Sequence, residues 1–466
     1  MATADLLGAL TAIVGERYLS TAPDDLHHYG TDRTQHWPPA PLAVVRPGTA
    51  TEVQAIVRLA NREGVAIVPS GGRTGLSGGA VAAHGELVLS LERLNRIRAV
   101  DPESATLTCE AGVTTAAVQA AAQGVGLCYP VDFASAGSSQ IGGNIATNAG
   151  GIRVLRHGMT RAWVRGLEVV TGAGERLELG RGLTKDNAGY DLLQLFVGSE
   201  GTLGVICAVT LALAPPPPPS TVLLLGAPEL AALPGVLTAF RARCALSACE
   251  FFPEAALARV IERLDLARPF AATPWYLLIE VEAAADSAVD EALAVFDALR
   301  SQGLVSEGVM AQSEAQAREL WRLREDISDT LAAWSPWKND IAVRTAQLPD
   351  FLERADGLCR EQFPALETIW FGHLGDGNIH LNGLRPAAWS TERFDAEGQR
   401  LSAALGALVQ EFRGSISAEH GIGLLKKALL PYSRSAAELR LMRALKQLFD
   451  PNHILNPGKI FDGGIP

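Results

Sequence analysis

The chain has 466 residues, 48% apolar and 20% charged, and 40 Lys+Arg against 51 Asp+Glu leave a net charge of −11. That composition is globular and excludes collagen, coiled coil and disorder as the main state; at about 100–200 residues per domain it leaves room for two to four domains. The acidic balance speaks against a nucleic-acid partner but permits a locally basic site for an anionic substrate. No run of about 18 uncharged apolar residues occurs, so no membrane-spanning helix is expected. The opening Met-Ala-Thr-Ala-Asp lacks the basic region of a secretory signal and does not resemble a transit peptide. Six cysteines are scattered without a Cys-x-x-Cys pair and read as reduced core thiols. Together these features predict a cytoplasmic protein.

Leu6, Leu7, Leu10 and Ile13 predict a short amphipathic helix over 4–14. A strand at 42–46 follows. Thr49 and Glu52 then fit a capping box at the start of a helix whose Val53, Ile56, Val57 and Ala60 face a core and which Gly64 can stop. With a strand at 65–68 this makes a β-α-β unit. Further strands read at 86–91, 105–110, 167–171, 176–179 and 203–213, with a helix at 115–122. Five prolines, 215–219, form a semi-rigid linker. Beyond them strands at 221–225, 246–252, 275–282 and 304–310 alternate with helices at 228–240, 254–263, 287–301 and 313–333, a pattern that suggests a ferredoxin-like sheet. From about Arg393 the chain reads as mostly helical.

Three glycine-rich stretches stand out. Pro69-Ser-Gly-Gly-Arg-Thr-Gly-Leu-Ser-Gly-Gly79 directly follows a strand, and its successive amides can form an anion nest. Its spacing is not Gly-x-Gly-x-x-Gly and no helix clearly begins in it, so a Rossmann site is disfavoured. Gly137–Gly151 mixes glycines with Ser138, Asn144, Thr147 and Asn148, which makes a poor core helix and a good surface for a large polar cofactor. Gly198–Ile206 is the third. One such loop alone would be read as a turn; three in one domain point to cofactor binding.

These segments, with the terminal Asn456-Pro-Gly-Lys-Ile-Phe461, resemble the vanillyl-alcohol-oxidase type of FAD-binding domain, in the branch of D-2-hydroxy-acid dehydrogenases, over nearly the whole chain. The resemblance implies an α+β fold: a FAD-binding domain at 38–214 behind an N-terminal helical segment at 1–37, a ferredoxin-like substrate domain at 220–392, and a C-terminal helical region at 393–466 that returns to the FAD site. It implies FAD contacts from Pro69, Ser70, Gly71, Gly72, Arg73, Thr74 and Gly75, with this loop on the pyrophosphate. Further contacts would come from Ser138, Gly142, Gly143, Asn148, Gly150 and Gly151, from Glu200, Gly204 and Ile206, and from Asn456. No His or Cys lies between 69 and 79, so FAD is expected to be noncovalent.

The histidines carry the second signal. Gly372-His-Leu-Gly-Asp-Gly-Asn-Ile-His380-Leu-Asn382 reads as a tight turn at 375–378 between two strands, across which His373 and His380 could converge. Ser417-Ala-Glu-His-Gly-Ile-Gly423 sets Glu419 beside His420. A lone histidine is more often bonded to backbone; two His and a Glu make a recognised three-ligand set for a divalent metal. The family resemblance assigns the metal, usually zinc, to His373, His380 and Glu419, and the proton acceptor to His420. Arg324 and Ser328 lie one helical turn apart, and an arginine on a helix is by itself more often solvated. Here the resemblance makes Arg324, Ser328 and Lys338 the grip on a substrate carboxylate, since a guanidinium can hold one through two parallel hydrogen bonds. Tyr190 and Arg344 are weaker candidates, and Lys338, Arg344 and Asn382 are available for a second carboxylate. Glu325 and Asp326 are expected to be solvated.

The expected reaction is oxidation of a D-2-hydroxy acid, the Trp337-Lys-Asn-Asp-Ile341 variant looking most like D-2-hydroxyglutarate dehydrogenases, with D-lactate, glycolate and D-malate as alternative substrates. Electrons would leave to an electron-transfer flavoprotein or a quinone, and a homodimer is among the candidate assemblies. Two readings from other classes are a metal-dependent hydrolase with a nucleotide substrate and a noncatalytic FAD-binding subunit.

Overall fold

A computed structural model describes residues 3–34, 36–283 and 287–462. The chain forms two units, one of residues 1–151, 158–216 and 419–466, the other of 152–157 and 217–418.

The first unit holds strands β1 (Leu19–Ser20), β2 (Ala43–Val45), β3 (Ile67–Ser70), β4 (Leu87–Ser90), β5 (Ile97–Asp101), β6 (Thr106–Glu110), β7 (Val164–Thr171), β8 (Arg176–Leu179) and β9 (Gly204–Ala212). They make a four-stranded sheet ordered β1-β2-β4-β3 and a five-stranded antiparallel sheet ordered β5-β6-β9-β7-β8. The expected β-α-β unit is present, since β3 and β2 both run parallel to β4. Its helix, Ala50–Glu63, starts where Thr49 Oγ accepts the Glu52 amide at 3.1 Å and ends at Gly64. The Glu52 carboxylate reaches back to the amide of Gly48 rather than that of Thr49, so the reciprocal cap is displaced by one residue. Val53, Ile56, Val57 and Ala60 are fully buried, as their spacing requires. Each of the larger three contributes about 1.5–3 kcal/mol through lost contact with water.

One local expectation is overturned. The second glycine stretch does form a helix, Ile141–Thr147, with Ile141 and Ile145 in the core. A glycine is required there because a Cβ on Gly142 would stand 2.7 Å from that of Ala111. Close approach to the strand exit, not helix propensity, decides the residue type. The chain's end joins this unit through Ile67, which bridges Leu455, and through Phe449, whose ring meets Phe196 edge-on at 5.2 Å.

The second unit is one antiparallel sheet of seven strands: β10 (Ser220–Ala227), β11 (Leu246–Pro253), β12 (Trp275–Glu282), β13 (Gly308–Met310), β14 (Trp337–Ala342), β15 (Glu367–His373) and β16 (Asn378–Leu384), ordered β13-β10-β12-β11-β15-β16-β14. The first four, with crossing helices Leu233–Arg243 and Ser287–Ser301, have the ferredoxin-like order; an extra helix, Glu254–Leu264, joins β11 to β12. The alternating pattern yields four strands and the hairpin around 375–378 two more, and the sheet joins all six, with β14, into seven. The physical reason lies in β11, which is buried along nearly its whole length and cannot leave its outer amides unpaired. β15 supplies part of that pairing, at Glu250 and Phe251, and brings β16 and β14 with it. The helix expected over 313–333 is interrupted: Glu314–Glu325 ends at Asp326, and Ile327–Leu331 begins anew. Arg324 and Ser328 therefore belong to separate helical segments.

Candidate active site

In the first unit the three glycine stretches surround one cavity of about 840 Å³, its open mouth included. Pro69–Gly75 form one wall, Gly142 and Gly143 another, and Glu200, Gly204 and Ile206 a third. Gly72 is needed for this closure, because a Cβ there would meet the carbonyl oxygen of Ser138 at 2.2 Å. Two buried side-chain oxygens at the cavity, Ser70 Oγ and Gln140 Oε1, have no hydrogen-bond partner among the described residues. Buried polar atoms are normally satisfied, so a wall of loop backbone with spare polar atoms fits a polar dinucleotide such as FAD. Arg73 stacks 4.5 Å over Tyr29 and donates to the Gly71 carbonyl; burial pulls its guanidinium pKa below the usual value.

The remaining residues singled out in this unit lie elsewhere. Ser138 is exposed beside the Gly72 loop. Asn148 accepts the Arg161 amide at 2.9 Å, Gly151 abuts the Asp132 carbonyl, and Gly150 lies between them. Asn456 is buried and donates to the carbonyls of Gly79 and Glu200, tying the chain's end to two of the loops. Tyr190 is 97% exposed.

Glu200 has a second use. Its carboxylate accepts the amides of Ile422 and Gly423, both at 2.7 Å, and burial raises its pKa despite these bonds. The segment after His420 is thus clamped to a cavity wall. Just before that segment His420 Nε2 lies 3.8 Å from Glu419 Oε1.

The second unit carries a polar row across four strands. Register puts Glu250 of β11 opposite His373 of β15, and His380 of β16 opposite Asp340 of β14. The two imidazoles cross at 85° with their Nε2 atoms 3.3 Å apart, so the convergence expected across the hairpin is present. His373 Nδ1 is 2.9 Å from Glu250 Oε1, and His380 Nδ1 is 3.8 Å from Asp340 Oδ1. Two ring nitrogens at that spacing, each imidazole backed by a carboxylate, fit a divalent metal. Asp340 is itself held by the Asn378 side chain at 2.9 Å and by the Ala418 amide at 3.1 Å. The next residues in the chain are Glu419 and His420.

Arg324 is not a solvated helix arginine. It is 5% exposed, lies 4.8 Å over the Phe371 ring, and sets Nη2 2.7 Å from Glu250 Oε2. That contact is close but poorly aligned: Nε and Nη2 have no hydrogen-bond partner among the described residues. Ser328 is half-buried on the next helical segment. Lys338 is exposed and lies directly opposite the buried Asn382, on one face of the sheet with Asp340 and His380. Arg344 is exposed beyond the end of β14, Glu325 is exposed, and Asp326 is half-buried against Arg322 at 3.2 Å. Sequence reasoning missed Glu250 and Asp340. The available signal for Glu250 was a single acid inside the strand-like run 246–252; Asp340 sits in a Lys-Asn-Asp run that does not read as a strand.

Comparison with known proteins bears on the FAD cavity and on the family. Residues 41–180 match a FAD binding domain and residues 216–460 match the C-terminal domain of FAD linked oxidases. The chain is 50% identical over 457 residues to a D-2-hydroxyglutarate dehydrogenase of Stutzerimonas stutzeri (strain A1501), covering 98% of each. It is 53% identical over 445 residues to one of Xanthomonas citri pv. viticola, covering 95% of this chain and 94% of the relative. It shares its fold with p-cresol methylhydroxylase, at a TM-score of 0.78 and 17% identity over 98% of this chain and 97% of that one. The hydrolase reading is thereby set aside. With both FAD oxidase domains in place and relatives half-identical along almost the entire chain, the protein belongs to the FAD-dependent D-2-hydroxy-acid dehydrogenases, in the family of the D-2-hydroxyglutarate dehydrogenases.

Proposed function

We propose that this chain oxidises D-2-hydroxyglutarate to 2-oxoglutarate with noncovalent FAD and a divalent metal, zinc. The observation that carries the substrate class is Arg324: a buried guanidinium with unspent donors is ready for a carboxylate. Arg324, Ser328 and Lys338 hold the C1 carboxylate in this reading, and Asn382, beside Lys338, serves the distal end of a dicarboxylate. FAD supplies the two-electron acceptor for the hydrogen on C2. A metal on His373, His380 and Glu419 supplies the Lewis acid that makes the 2-hydroxyl easier to deprotonate. His420 takes that proton, and Glu200 keeps the backbone after it in place.

Further parts of the reading rest on the chain itself. Noncovalent attachment follows from the lack of His or Cys at 69–79. Reoxidation is assigned to an electron-transfer flavoprotein, with a quinone as the rival acceptor. Six unpaired thiols suit a reducing cytoplasm, and none of the described helices is long and apolar enough to cross a membrane. The test is anaerobic bleaching of the flavin by a panel of D- and L-2-hydroxy acids. D-2-hydroxyglutarate should bleach fastest, ahead of D-malate, D-lactate and glycolate; preference for an L-enantiomer or for a monocarboxylate would refute the assignment.

A further inference from the structure

We propose that Glu250 is the positioning residue of this site, one carboxylate that fixes the metal-facing tautomer of His373 and aligns Arg324 for the substrate carboxylate. The inference rests on the metal and substrate roles assigned above and adds to them a residue outside the histidine and glycine motifs.

Glu250 lies on β11 with no solvent exposure, between two strands that pair with it on either side. His373 Nδ1 sits 2.9 Å from its Oε1 and 2.8 Å from its Oε2. A carboxylate accepts and cannot donate, so the ring proton must be on Nδ1 and the lone pair on Nε2, the atom that faces His380. Without Glu250 either tautomer is available, and the wrong one presents an N–H where a ligand atom is needed. The same carboxylate is 2.7 Å from Arg324 Nη2. That contact supplies a buried counter-charge through Nη2 while leaving Nε without a hydrogen-bond partner among the described residues, and the Phe371 ring under the guanidinium limits its rotation. A fully buried acid spent only on fold would be expected to satisfy its cation completely; this one holds a cation whose donors remain available.

Orienting partners of metal-bound histidines are worth about 10–100-fold in metal affinity or activity. Glu250→Gln in the holoenzyme should retain FAD, weaken zinc binding by about that factor in competition with a chromophoric chelator, and raise KM for D-2-hydroxyglutarate about tenfold or more. Glu250→Asp should recover part of both losses. Wild-type zinc affinity and KM in a folded Glu250→Gln protein would overturn the proposal. Should the Gln variant not retain FAD, the tautomer can be read in the metal-free wild-type protein from the ¹⁵N shifts of His373, identified by its disappearance in His373→Asn. A proton on Nδ1 is expected, and a proton on Nε2 would overturn the proposal. A wild-type protein that binds no zinc and ignores D-2-hydroxyglutarate would instead sink the functional reading, an outcome separate from the tautomer result.

Discussion

Changes at Arg324 should damage the fold and the chemistry separately, and two substitutions divide the damage. The Arg324 side chain is 6% exposed and that of Glu250 is fully buried. Arg324→Ala removes the counter-charge of a carboxylate that water cannot reach, a change that typically costs about 3–5 kcal/mol of stability. Arg324→Lys keeps a cation on a stem long enough to stay near Glu250, so most of that stability should be retained. What Lys lacks is the fork: a point ammonium that pairs with Glu250 has no equivalent of Nε, which has no hydrogen-bond partner among the described residues. One lost charge-assisted hydrogen bond to substrate is worth about 1.5–3 kcal/mol, which is about a ten- to hundredfold fall in kcat/KM. The fall should appear mostly in KM, because the carboxylate is gripped in the ground state as well as in the transition state. Steady-state kinetics with D-2-hydroxyglutarate and D-lactate, run beside urea unfolding curves, provide the assay. Both substrates should suffer alike, since they share the C1 carboxylate. A Lys variant with unchanged kcat/KM and lowered stability would show that Arg324 serves only as the partner of Glu250.

Other changes have distinct signatures. His420→Ala should lower kcat by about 10²–10⁴-fold, the usual contribution of a histidine base, with flavin content unchanged; an undiminished kcat would remove His420 from the mechanism. Gly72→Ala would drive a methyl to 2.2 Å from the Ser138 carbonyl and should release FAD, read as a loss of flavin absorbance relative to protein; full flavin occupancy would show that the loop can shift without penalty. Lys459 donates to the Val81 carbonyl in the core of the first unit, and burial lowers its pKa from 10.5 to about 8. Between these two values the unfolded chain binds more protons, so stability should rise with pH there by at most about 3 kcal/mol; below pH 8 the burial cost is present in full. Lys459→Met should flatten that rise in the urea midpoint between pH 8 and 10.5, and an unchanged slope would exclude Lys459 as its source.

What the sequence made legible was local. Val53, Ile56, Val57 and Ala60 announce their helix by spacing alone, and all four are fully buried. The His373–His380 convergence is legible because the turn between them lies in eleven consecutive residues. Glu250 and Asp340 were not, since each depends on register between distant strands: the Glu250–His373 bond closes over 123 residues. Ile141–Thr147 was misjudged for a related reason. Its glycines are poor helix formers in isolation, and only the nearness of Ala111, some thirty residues earlier, explains why nothing larger stands at Gly142. The break at Asp326 also escapes periodicity, because apolar spacing runs on through Ile327 and Leu331, both buried, as though the helix were continuous.

The place of β11 in its sheet bears on how the protein is made. When the ribosome has finished β10 to β13, the ferredoxin-like four can already pair, and β11 is then an open edge with Phe251 and Phe252 directly after its one acid. Its partner β15 emerges over a hundred residues later; at about 5–20 residues per second the wait between Glu250 and His373 is roughly 6–25 s. During that interval a long apolar edge is a template for pairing with other nascent chains, and a single charge in such a strand is the usual deterrent. Glu250 would therefore act as an aggregation gatekeeper before β15 arrives to cover it.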